Sequence, residues 1–435
     1  MLNIDVLTEM NPWWRTETVP QQLAPFKQRK LFGTLQEYLP LRMMVAIVGL
    51  RRTGKSTLLY QLIQKLLQEK VNPDHIFYFS FDERVEEVRD LLNMYQQQFL
   101  KKDLADEKIY LFFDEIQKLP DWQNKLKIYY DRYPHLKIFL SGSASLNLLL
   151  DSKESLAGRV FYCNLEVLSF EEFLELRGRD LQQIQKNPRR WISEIKTELN
   201  DYLIKPFPEI VLFENHLAKK YIQESIIEKA IFRDLQSLFE IKDVEIIEKL
   251  LSIISANPGL IINLDDLSKD LGRSRQMLSN YLYYLEMCLI IKGVRNFKGS
   301  EKASSRKLKK YYPVHPSISL ALASPEAGKV METMVQFASR AEYYWREGNK
   351  EVDFIVKRNN HILPMESKYS PEVRIKEVKG LLKFMEKFNC PEGWVITEDF
   401  ESEKKMEHAV IHFIPLWKWI LSSEEDRAVS AHQNN

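Results

Sequence analysis

The sequence predicts an α/β protein whose core is a parallel β-sheet with helices on both faces. Five apolar segments alternate with polar, helix-like segments over the first 168 residues. The first of these segments runs into a glycine loop and then into apolar positions at helical spacing. Alternation of this kind is typical of a helix-covered parallel sheet. The length of 435 residues corresponds to about three domains, so smaller domains are expected after the core.

The composition is that of an ordinary globular chain, with 45% apolar residues, 14 Gly and 18 Pro. The formal net charge of +1 excludes a histone-like basic protein, so any nucleic-acid binding must come from local patches. The longest clean apolar run, Met43–Leu50, is far shorter than the roughly twenty residues that cross a bilayer. The N-terminus has no signal-peptide pattern. We therefore expect a cytoplasmic protein without membrane contact.

The three cysteines and eight histidines show no metal-binding spacing. A zinc site or another transition-metal site is therefore disfavoured, while Mg²⁺ bound through oxygen ligands stays possible. The cysteines are expected to be small buried residues.

The predicted strands are the five apolar segments, at residues 43–48, 75–81, 109–113, 137–140 and 160–165. The aromatic lead-in, residues 1–40, is expected to pack on the first domain. Ser169 and Glu172 form a capping-box pattern that opens a helix-rich stretch, which we interpret as a helical lid. The predicted domains are 1–168 for the core with its lead-in, 169–242 for the lid, 243–310 for a winged helix-turn-helix, 311–420 for a small α/β domain and 421–435 for a frayed tail.

The segment Gly49-Leu-Arg-Arg-Thr-Gly54-Lys55-Ser56-Thr57 matches the pattern G-x-x-x-x-G-K-[ST] between a strand and a helix. Glycines let backbone N–H groups surround phosphates, and the helix N-terminus favours an anion. Lys55 adds a positive charge, and the Ser56 hydroxyl is a ligand for Mg²⁺. A chance match in a turn is the alternative, but the flanking strand and helix favour a nucleotide site that takes ATP.

The apolar strand Ile109–Phe113 ends in Asp114 and Glu115. Beside a phosphate loop, Asp114 is expected to hold magnesium and its water, and Glu115 to polarise the attacking water. The following strand ends in Ser-Gly-Ser-Ala-Ser, residues 141–145, where the hydroxyl of Ser143 or Ser141 is a candidate contact to the γ-phosphate; turn chemistry alone is the alternative.

These motifs resemble those of the AAA+ ATPase superfamily, and of a prokaryotic branch that carries a C-terminal restriction-endonuclease-like domain. The resemblance implies a homo-oligomer with hydrolysing sites between subunits. It also implies that Arg159, in Leu156-Ala-Gly-Arg159, acts as an arginine finger on a neighbouring subunit. The alternative is a structural arginine paired with Glu154 or Glu166.

The segment Leu264–Gly272 followed by Ser274–Glu286 predicts a helix, a glycine turn and a second helix. Its outward positions include Arg273, Arg275, Gln276, Ser279 and Asn280, whereas Leu278, Leu282 and Leu285 face the core. Residues 298–310 hold six basic residues and one Glu, a local charge of +5, where a wing would lie. The basic residues are Lys298, Lys302, Arg306, Lys307, Lys309 and Lys310. DNA is the favoured partner, and a protein partner is the alternative.

The C-terminal region resembles the PD-(D/E)xK nuclease core. Asp353, Glu366 and Lys368 match its pattern, with Glu332 as the acid of the first helix. The resemblance implies that Asp353 and Glu366 bind Mg²⁺ and that Lys368 orients a water. Loss of cleavage is known in this branch, and an ordinary salt-bridged sheet edge is the alternative. The sequence thus predicts a Mg²⁺-dependent ATPase that engages DNA, or alternatively a regulatory NTPase scaffold that binds a protein.

Overall fold

The computed structural model describes residues 3–143, 156, 158–236, 239, 241–298, 308–358, 361–407 and 409–422. Two compact units make up the chain, residues 1–172 and residues 173–435. Several predicted features lie outside the described residues, namely Ser145, Glu154, Lys302, Arg306, Lys307 and the tail from residue 423. Within the described ranges, no helix combines the length and the apolar character that crossing a membrane requires.

The first unit contains the predicted parallel sheet. Its strands are β1 Met44–Gly49, β2 Ile76–Ser80, β3 Ile109–Asp114, β4 Leu136–Ser143 and β5 Val160–Asn164. They lie in the order β2-β3-β4-β1-β5, and every neighbouring pair is parallel. All five strands therefore end at the same edge, and β4 separates β1 from β3. The connection after β1 runs toward β2, whereas the connection after β4 runs the other way toward β5. A topological switch point therefore lies between β1 and β4, which is where ligands bind in open α/β sheets.

Helices cover both faces of this sheet. They are α1 Ile4–Met10, α2 Trp13–Thr16, α3 Leu31–Tyr38, α4 Lys55–Gln68, α5 Val88–Tyr95 and α6 Trp122–Arg132. Alternate residues of β1 enter different cores: Met44, Ala46 and Val48 pack on one face, and Val45 and Ile47 pack on the other. This continuous burial explains why the strand is an unbroken apolar run in the sequence.

The lead-in packs on β2, the strand at one edge of the sheet. The buried Asn11 side chain accepts a hydrogen bond from the backbone N–H of Tyr78 at 2.7 Å and donates to its carbonyl at 2.9 Å. The indole N–H groups of Trp13 and Trp14 both donate to the carbonyl of Ile76 at 3.0 Å. Side chains therefore satisfy backbone groups that an edge strand would leave unpaired.

The second unit begins with the helix-rich stretch. Its helices are α7 Phe170–Leu176, which starts just before the boundary, then α8 Leu181–Lys186, α9 Ile192–Tyr202, α10 Asn215–Tyr221, α11 Val244–Ala256, α12 Leu264–Leu271, α13 Arg275–Met287, α14 Pro316–Leu322, α15 Ala327–Ser339, α16 Lys379–Phe388 and α17 Leu416–Trp419. Two π-helical turns, 222–227 and 230–235, follow α10. The capping box that opens α7 is confirmed, because Ser169 and Glu172 exchange backbone-to-side-chain hydrogen bonds.

The second unit also holds a nine-stranded sheet. Its strands are β6 Leu260–Ile261, β7 Ile291–Asn296, β8 Lys310–Pro313, β9 Tyr343–Glu347, β10 Lys350–Arg358, β11 His361–Lys368, β12 Glu392–Thr397, β13 Ser402–Lys405 and β14 Val410–Pro415. The order is β13-β14-β12-β11-β10-β9-β7-β8-β6. The strands β6 to β8 of the helix-turn-helix region thus join those of the C-terminal region in one sheet through the parallel contact of β7 with β9.

Candidate functional site

The phosphate loop connects β1 to α4 at the edge where the parallel strands end. Gly54 has a left-handed backbone with φ 98°, and Arg52 in the same loop has φ 64°. No side chain caps the start of α4 in this part of the structure, so its first N–H groups face the loop. A helix N-terminus of this kind binds anions through N–H groups and the helix dipole.

Lys55 lies inside the loop. Its ammonium donates to the carbonyl of Gly49 at 3.1 Å and to that of Leu50 at 2.8 Å, and the residue is buried. The Thr53 hydroxyl donates to the same Leu50 carbonyl at 2.9 Å. These contacts hold the positive charge within the loop, next to the N-terminus of α4. Ser56 follows directly on the first turn of that helix.

Asp114 is buried at the end of β3, and three donors orient its carboxylate. The Tyr78 hydroxyl donates to Oδ2 at 2.9 Å, and the backbone N–H of Glu115 donates to Oδ1 at 3.0 Å. The Ser141 hydroxyl also donates to Oδ1. Burial, and then the charge of Asp114, raise the pKa of Tyr78 well above its usual value, so the phenol remains a donor at neutral pH.

Glu115 has a left-handed backbone, with φ 53°, immediately after β3. The Gln117 side-chain amide donates to its Oε2 at 2.5 Å and lies 3.4 Å from the hydroxyl of Ser143. Because a non-glycine residue in this conformation is strained, the surrounding structure must hold it there. The predicted base and the predicted serine are thus linked through one amide.

Arg29 ties the lead-in to the phosphate loop. Its guanidinium donates to the carbonyl of Thr53 at 2.6 Å and to both carboxylate oxygens of Glu172 at about 3 Å. Burial alone would raise the pKa of Glu172, but the charge and hydrogen bonds of Arg29 lower it below the usual value. This buried pair holds the outer side of the loop. More than a hundred residues separate Arg29 from Glu172, so no local sequence signal pointed to the pair.

Arg159 lies directly before β5, at the end of the sheet where the strands begin. The phosphate loop lies at the other end, where the strands finish. Its guanidinium pairs with Asp131 of α6, at 3.0 Å from Nε to Oδ1, and its side chain is 30% exposed. Glu166, one of the two partners considered from the sequence, instead accepts from Arg29 through its carbonyl. Since β5 spans five residues, about 16 Å separate the beginning of the strand from its end. Arg159 therefore does not reach the phosphate loop of its own chain.

The helix, glycine turn and helix predicted in the second unit are present as α12 and α13. Gly272 ends α12 with a left-handed backbone, and Ser274 caps α13 by accepting from the N–H of Met277 at 3.2 Å. Arg273 and Arg275 are exposed but paired, with Asp243 at 2.7 Å and with Asp265 at 2.9 Å respectively. The predicted core leucines are buried, namely Leu278, Leu282 and Leu285.

The C-terminal residues of the nuclease-like pattern lie on two paired strands. Phe354 pairs with Met365 across β10 and β11, so Asp353 lies opposite Glu366. The Lys368 ammonium contacts Oε1 of Glu366 at 2.8 Å. Burial, and then the nearby charge of Asp353, raise the pKa of Glu366 to about 8.

Glu332 approaches this pair from α15. Its Oε1 accepts from the Tyr312 hydroxyl at 2.7 Å, and its Oε2 accepts from Lys329 at 2.8 Å. Burial, and then the charge of Asp353, raise the pKa of Glu332. The structure therefore brings the predicted C-terminal residues together. Within the described ranges, no group of three or more His, Cys, Asp or Glu side chains is arranged to hold a metal ion.

Several residues that contact these sites are not predicted from the sequence, among them Arg29, Tyr78, Gln117, Tyr312 and Lys329. Gln117 follows Glu115 by two positions, and this short spacing was the only signal that pointed to any of them. Lys310 was counted in the basic connector, but the structure buries it as the first residue of β8. It is therefore not available to a phosphate backbone, because its side chain points into the unit.

Three parts of the chain are similar to known protein families. Residues 41–174 match a family described as an AAA domain. Residues 196–328 and 327–419 match two domains of unknown function, DUF8612 and DUF4143. An uncharacterized protein of Methanocaldococcus jannaschii is 27% identical over 402 residues, which cover 86% of this chain and 88% of that protein. An uncharacterized protein of Haemophilus influenzae is 24% identical over 390 residues, covering 85% of this chain and 93% of that protein.

Among solved structures, the complex of Saccharomyces cerevisiae Hsp104 with casein in its extended conformation is 15% identical, with a TM-score of 0.31. The alignment covers 62% of this chain and 52% of the Hsp104 chain, and a likeness this distant carries no argument. The AAA match, by contrast, spans β1 to α7 and includes the phosphate loop, Asp114 and Glu115. Residues 41–174 of this chain are therefore similar to an AAA domain, and the similarity includes the phosphate loop.

Proposed function

We propose that this chain hydrolyses ATP with Mg²⁺ at the carboxyl edge of the five-stranded sheet. The proposal rests on one observation. The phosphate loop and the Asp114-Glu115 pair both lie where the parallel strands end, and the hydroxyl of Ser141, on the strand between them, donates to Asp114. A phosphate loop alone binds nucleotide. An oriented carboxylate pair at the end of β3, with β4 lying between β3 and β1, also supplies a metal ligand and a base.

The residues present suit these roles. The N–H groups of the loop and the Lys55 ammonium bind the phosphates. The Ser56 hydroxyl and the Asp114 carboxylate are oxygen donors of the kind that Mg²⁺ prefers, and the ion would offset the charge of the phosphates. Glu115 accepts the proton of the attacking water, while Gln117 orients its carboxylate and Ser143 contacts the γ-phosphate.

Phosphate release and binding of a fluorescent ATP analogue test this proposal. Lys55→Ala should abolish binding, and Glu115→Gln should keep binding but reduce turnover at least 100-fold, since only the base is removed. Lys65→Ala is the matched control, because Lys65 lies on the same helix, away from the phosphate loop, and pairs with Glu69 at the surface. Wild-type turnover in both site variants would overturn the assignment.

We also propose that the chain assembles with itself and that Arg159 completes the site of a neighbouring subunit. The distance of Arg159 from its own phosphate loop supports this arrangement. An arginine at the end of the sheet where the strands begin cannot contact the phosphate loop of the same chain. The side chain of Arg159 is partly exposed, so a second copy could contact it. A bidentate guanidinium would stabilise the charge that spreads over the transferred phosphoryl oxygens.

DNA is the proposed partner of the second unit. Gln276 and Arg275 are exposed at the start of α13, behind the Ser274 cap, where a recognition helix meets a groove. If Arg275 contacts a duplex phosphate, Arg275→Ala should lower the slope of log affinity against log salt by about 0.9. Lys405→Ala, at an exposed position of β13, should leave the slope unchanged.

The ion pairs of Arg273 with Asp243 and of Arg275 with Asp265 favour a second candidate. Both arginines are already neutralised within the unit, and phosphate would have to compete for them. In this alternative the chain is a regulatory NTPase scaffold that binds a protein through the second unit and does not cut DNA. An absence of DNA binding at low salt would favour it.

A further inference from the structure

Lys310 is a buried lysine at the centre of the C-terminal carboxylate cluster. Its side chain is only 4% exposed, and its ammonium lies 2.5 Å from Oε1 of Glu351. The same nitrogen lies 3.6 Å from Oδ1 of Asp353 and 3.8 Å from Oε1 of Glu332. Three carboxylates from β10 and α15 thus converge on one ammonium.

Burial of a lysine costs several kcal/mol unless the charge is compensated. Burial alone would lower the pKa of Lys310, but the charges of Asp353, Glu332 and Glu351 raise it above its usual value. The side chain therefore stays charged. The ring of Tyr344, whose centroid lies 5.3 Å from the ammonium, adds a cation–π contact on another side.

A divalent ion at Asp353 would compete with Lys310, whose ammonium lies 3.6 Å from Oδ1 of that residue. Mg²⁺ binds oxygen ligands at about 2.0 Å, and a second cation at that distance from Asp353 would lie close to the ammonium. Like charges in a buried site repel strongly. Other carboxyl oxygens of the cluster already contact lysines. Lys368 contacts Oε1 of Glu366, and Lys329 contacts Oε2 of Glu332.

One oxygen in the cluster lacks such a contact. Oε2 of Glu366 is buried without a hydrogen-bond partner among the described residues, and Glu366 is only 6% exposed. An oriented carboxyl oxygen beside Asp353 without a partner among the described residues is the kind of group that completes a metal site once a position opens. The cluster thus holds oxygen atoms suited to a cation, and the Lys310 ammonium already supplies a positive charge beside Asp353.

We propose that the ammonium of Lys310 is the resident cation of this cluster, in the place that a divalent metal takes in a metal-dependent nuclease. The wild-type unit then binds no metal between Asp353 and Glu366, and metal-dependent cleavage is not expected of it. The cluster instead fastens β8 to β10 and α15. Removal of the ammonium should convert the cluster into a metal site. This inference concerns residues 173–435 and is independent of the proposed ATP hydrolysis.

Binding of Mn²⁺ to the full chain without nucleotide, measured from the electron paramagnetic resonance signal of free Mn²⁺, tests the proposal. Lys310→Met should gain one bound Mn²⁺ per chain relative to wild type. Lys329→Met is the matched control, because it removes a more exposed lysine from Glu332 and leaves Lys310 in place; it should gain none. Any ion bound near Asp114 is common to all three proteins and cancels in the comparison.

A second comparison decides the question even if Lys310→Met does not fold. Wild type and Asp353→Asn should bind the same number of Mn²⁺ ions, since Asp353 holds no metal in the wild type. An ion present in the wild type and lost in Asp353→Asn would overturn the proposal. So would a Lys310→Met variant with wild-type circular dichroism and no additional Mn²⁺.

Discussion

Gly49, the last residue of β1, shows how closely the backbone approaches itself beside the phosphate loop. A Cβ at this position would lie 2.2 Å from the carbonyl oxygen of Leu165 and 3.1 Å from its carbon. These are backbone atoms held by the hydrogen bond from the Leu165 N–H to the Val48 carbonyl, at 2.7 Å, so they cannot rotate away. Glycine is therefore required by the approach of the chain after β5, in addition to the turn itself.

We predict that Gly49→Ala lowers the free energy of unfolding by about 1–3 kcal/mol and weakens nucleotide binding at least tenfold, because β1 and the residue after β5 must separate. Gly33→Ala is the control. Gly33 lies in α3 with nothing within 4 Å of its Cβ position, so alanine there should stabilise by about 0.5–1 kcal/mol. Urea unfolding would measure the stability of the two variants, and binding of a fluorescent ATP analogue would measure their nucleotide affinity. Equal effects of the two substitutions would contradict this account.

His315 is a buried residue whose titration should affect stability. Its Nδ1 accepts from the N–H of Ser317 at 3.2 Å and caps α14, while its Nε2 has no partner among the described residues. The rings of Tyr202 and Phe337 contact it edge-on, at 5.1 and 5.0 Å between centroids. Burial lowers its pKa from 6.5 to about 3. The folded protein therefore keeps the imidazole neutral.

The unfolded chain binds a proton at His315 below pH 6.5, whereas the folded chain does not bind it until about pH 3. The contribution to stability is thus complete above pH 6.5 and falls by up to about 1.4 kcal/mol per pH unit as the pH drops through that window. His315→Asn keeps an acceptor for the cap but cannot titrate. We predict that the stability advantage of wild type over His315→Asn shrinks between pH 7.5 and pH 5 in urea titrations. An advantage that does not change with pH would contradict the assignment.

At the scale of elements, the edge strand β2 depends on side chains of the lead-in. Asn11→Ala leaves both the N–H and the carbonyl of Tyr78 unpaired and buried, so we predict a loss of about 2–4 kcal/mol in unfolding free energy. Asn3→Ala is the control, since Asn3 only caps the exposed start of α1 and should cost about 1 kcal/mol. Thermal melting of the two variants would rank them, and a larger loss in Asn3→Ala would contradict the prediction.

At the scale of the whole molecule, the function of Arg159 depends on assembly. If the arginine acts on a neighbouring subunit, a mixture of Arg159→Ala and Glu115→Gln chains forms some sites with both residues intact. We predict that this mixture regains part of the ATPase activity and that specific activity rises with protein concentration. A mixture of Lys55→Ala and Glu115→Gln chains is the control. Lys55 and Glu115 belong to the same chain's half of the site, so no site in this mixture has both residues intact. The absence of any recovery would make Arg159 a structural partner of Asp131.

Much of the first unit could be predicted from the sequence because its signals are local. The five strands are short apolar runs, and β1 agrees with its predicted bounds within one residue at each end. The phosphate loop is a contiguous pattern, and Asp114 and Glu115 directly follow a strand. The two residues of the capping box, Ser169 and Glu172, are three positions apart. In each case the physical cause lies within a few positions of the chain.

The contacts that orient the site could not be predicted, because they join residues far apart in sequence. Tyr78 meets Asp114 only because β2 and β3 pair, and Arg29 meets Glu172 only because the lead-in returns to the phosphate loop. Lys310 is the clearest example. Its neighbours predict a basic, solvated connector, but the placement of β8 directs its side chain toward Glu351, Asp353 and Glu332. The sequence by itself thus determined the sheet and its phosphate loop, whereas the tertiary structure alone decided which charges are buried together, since long-range pairing brings them within reach.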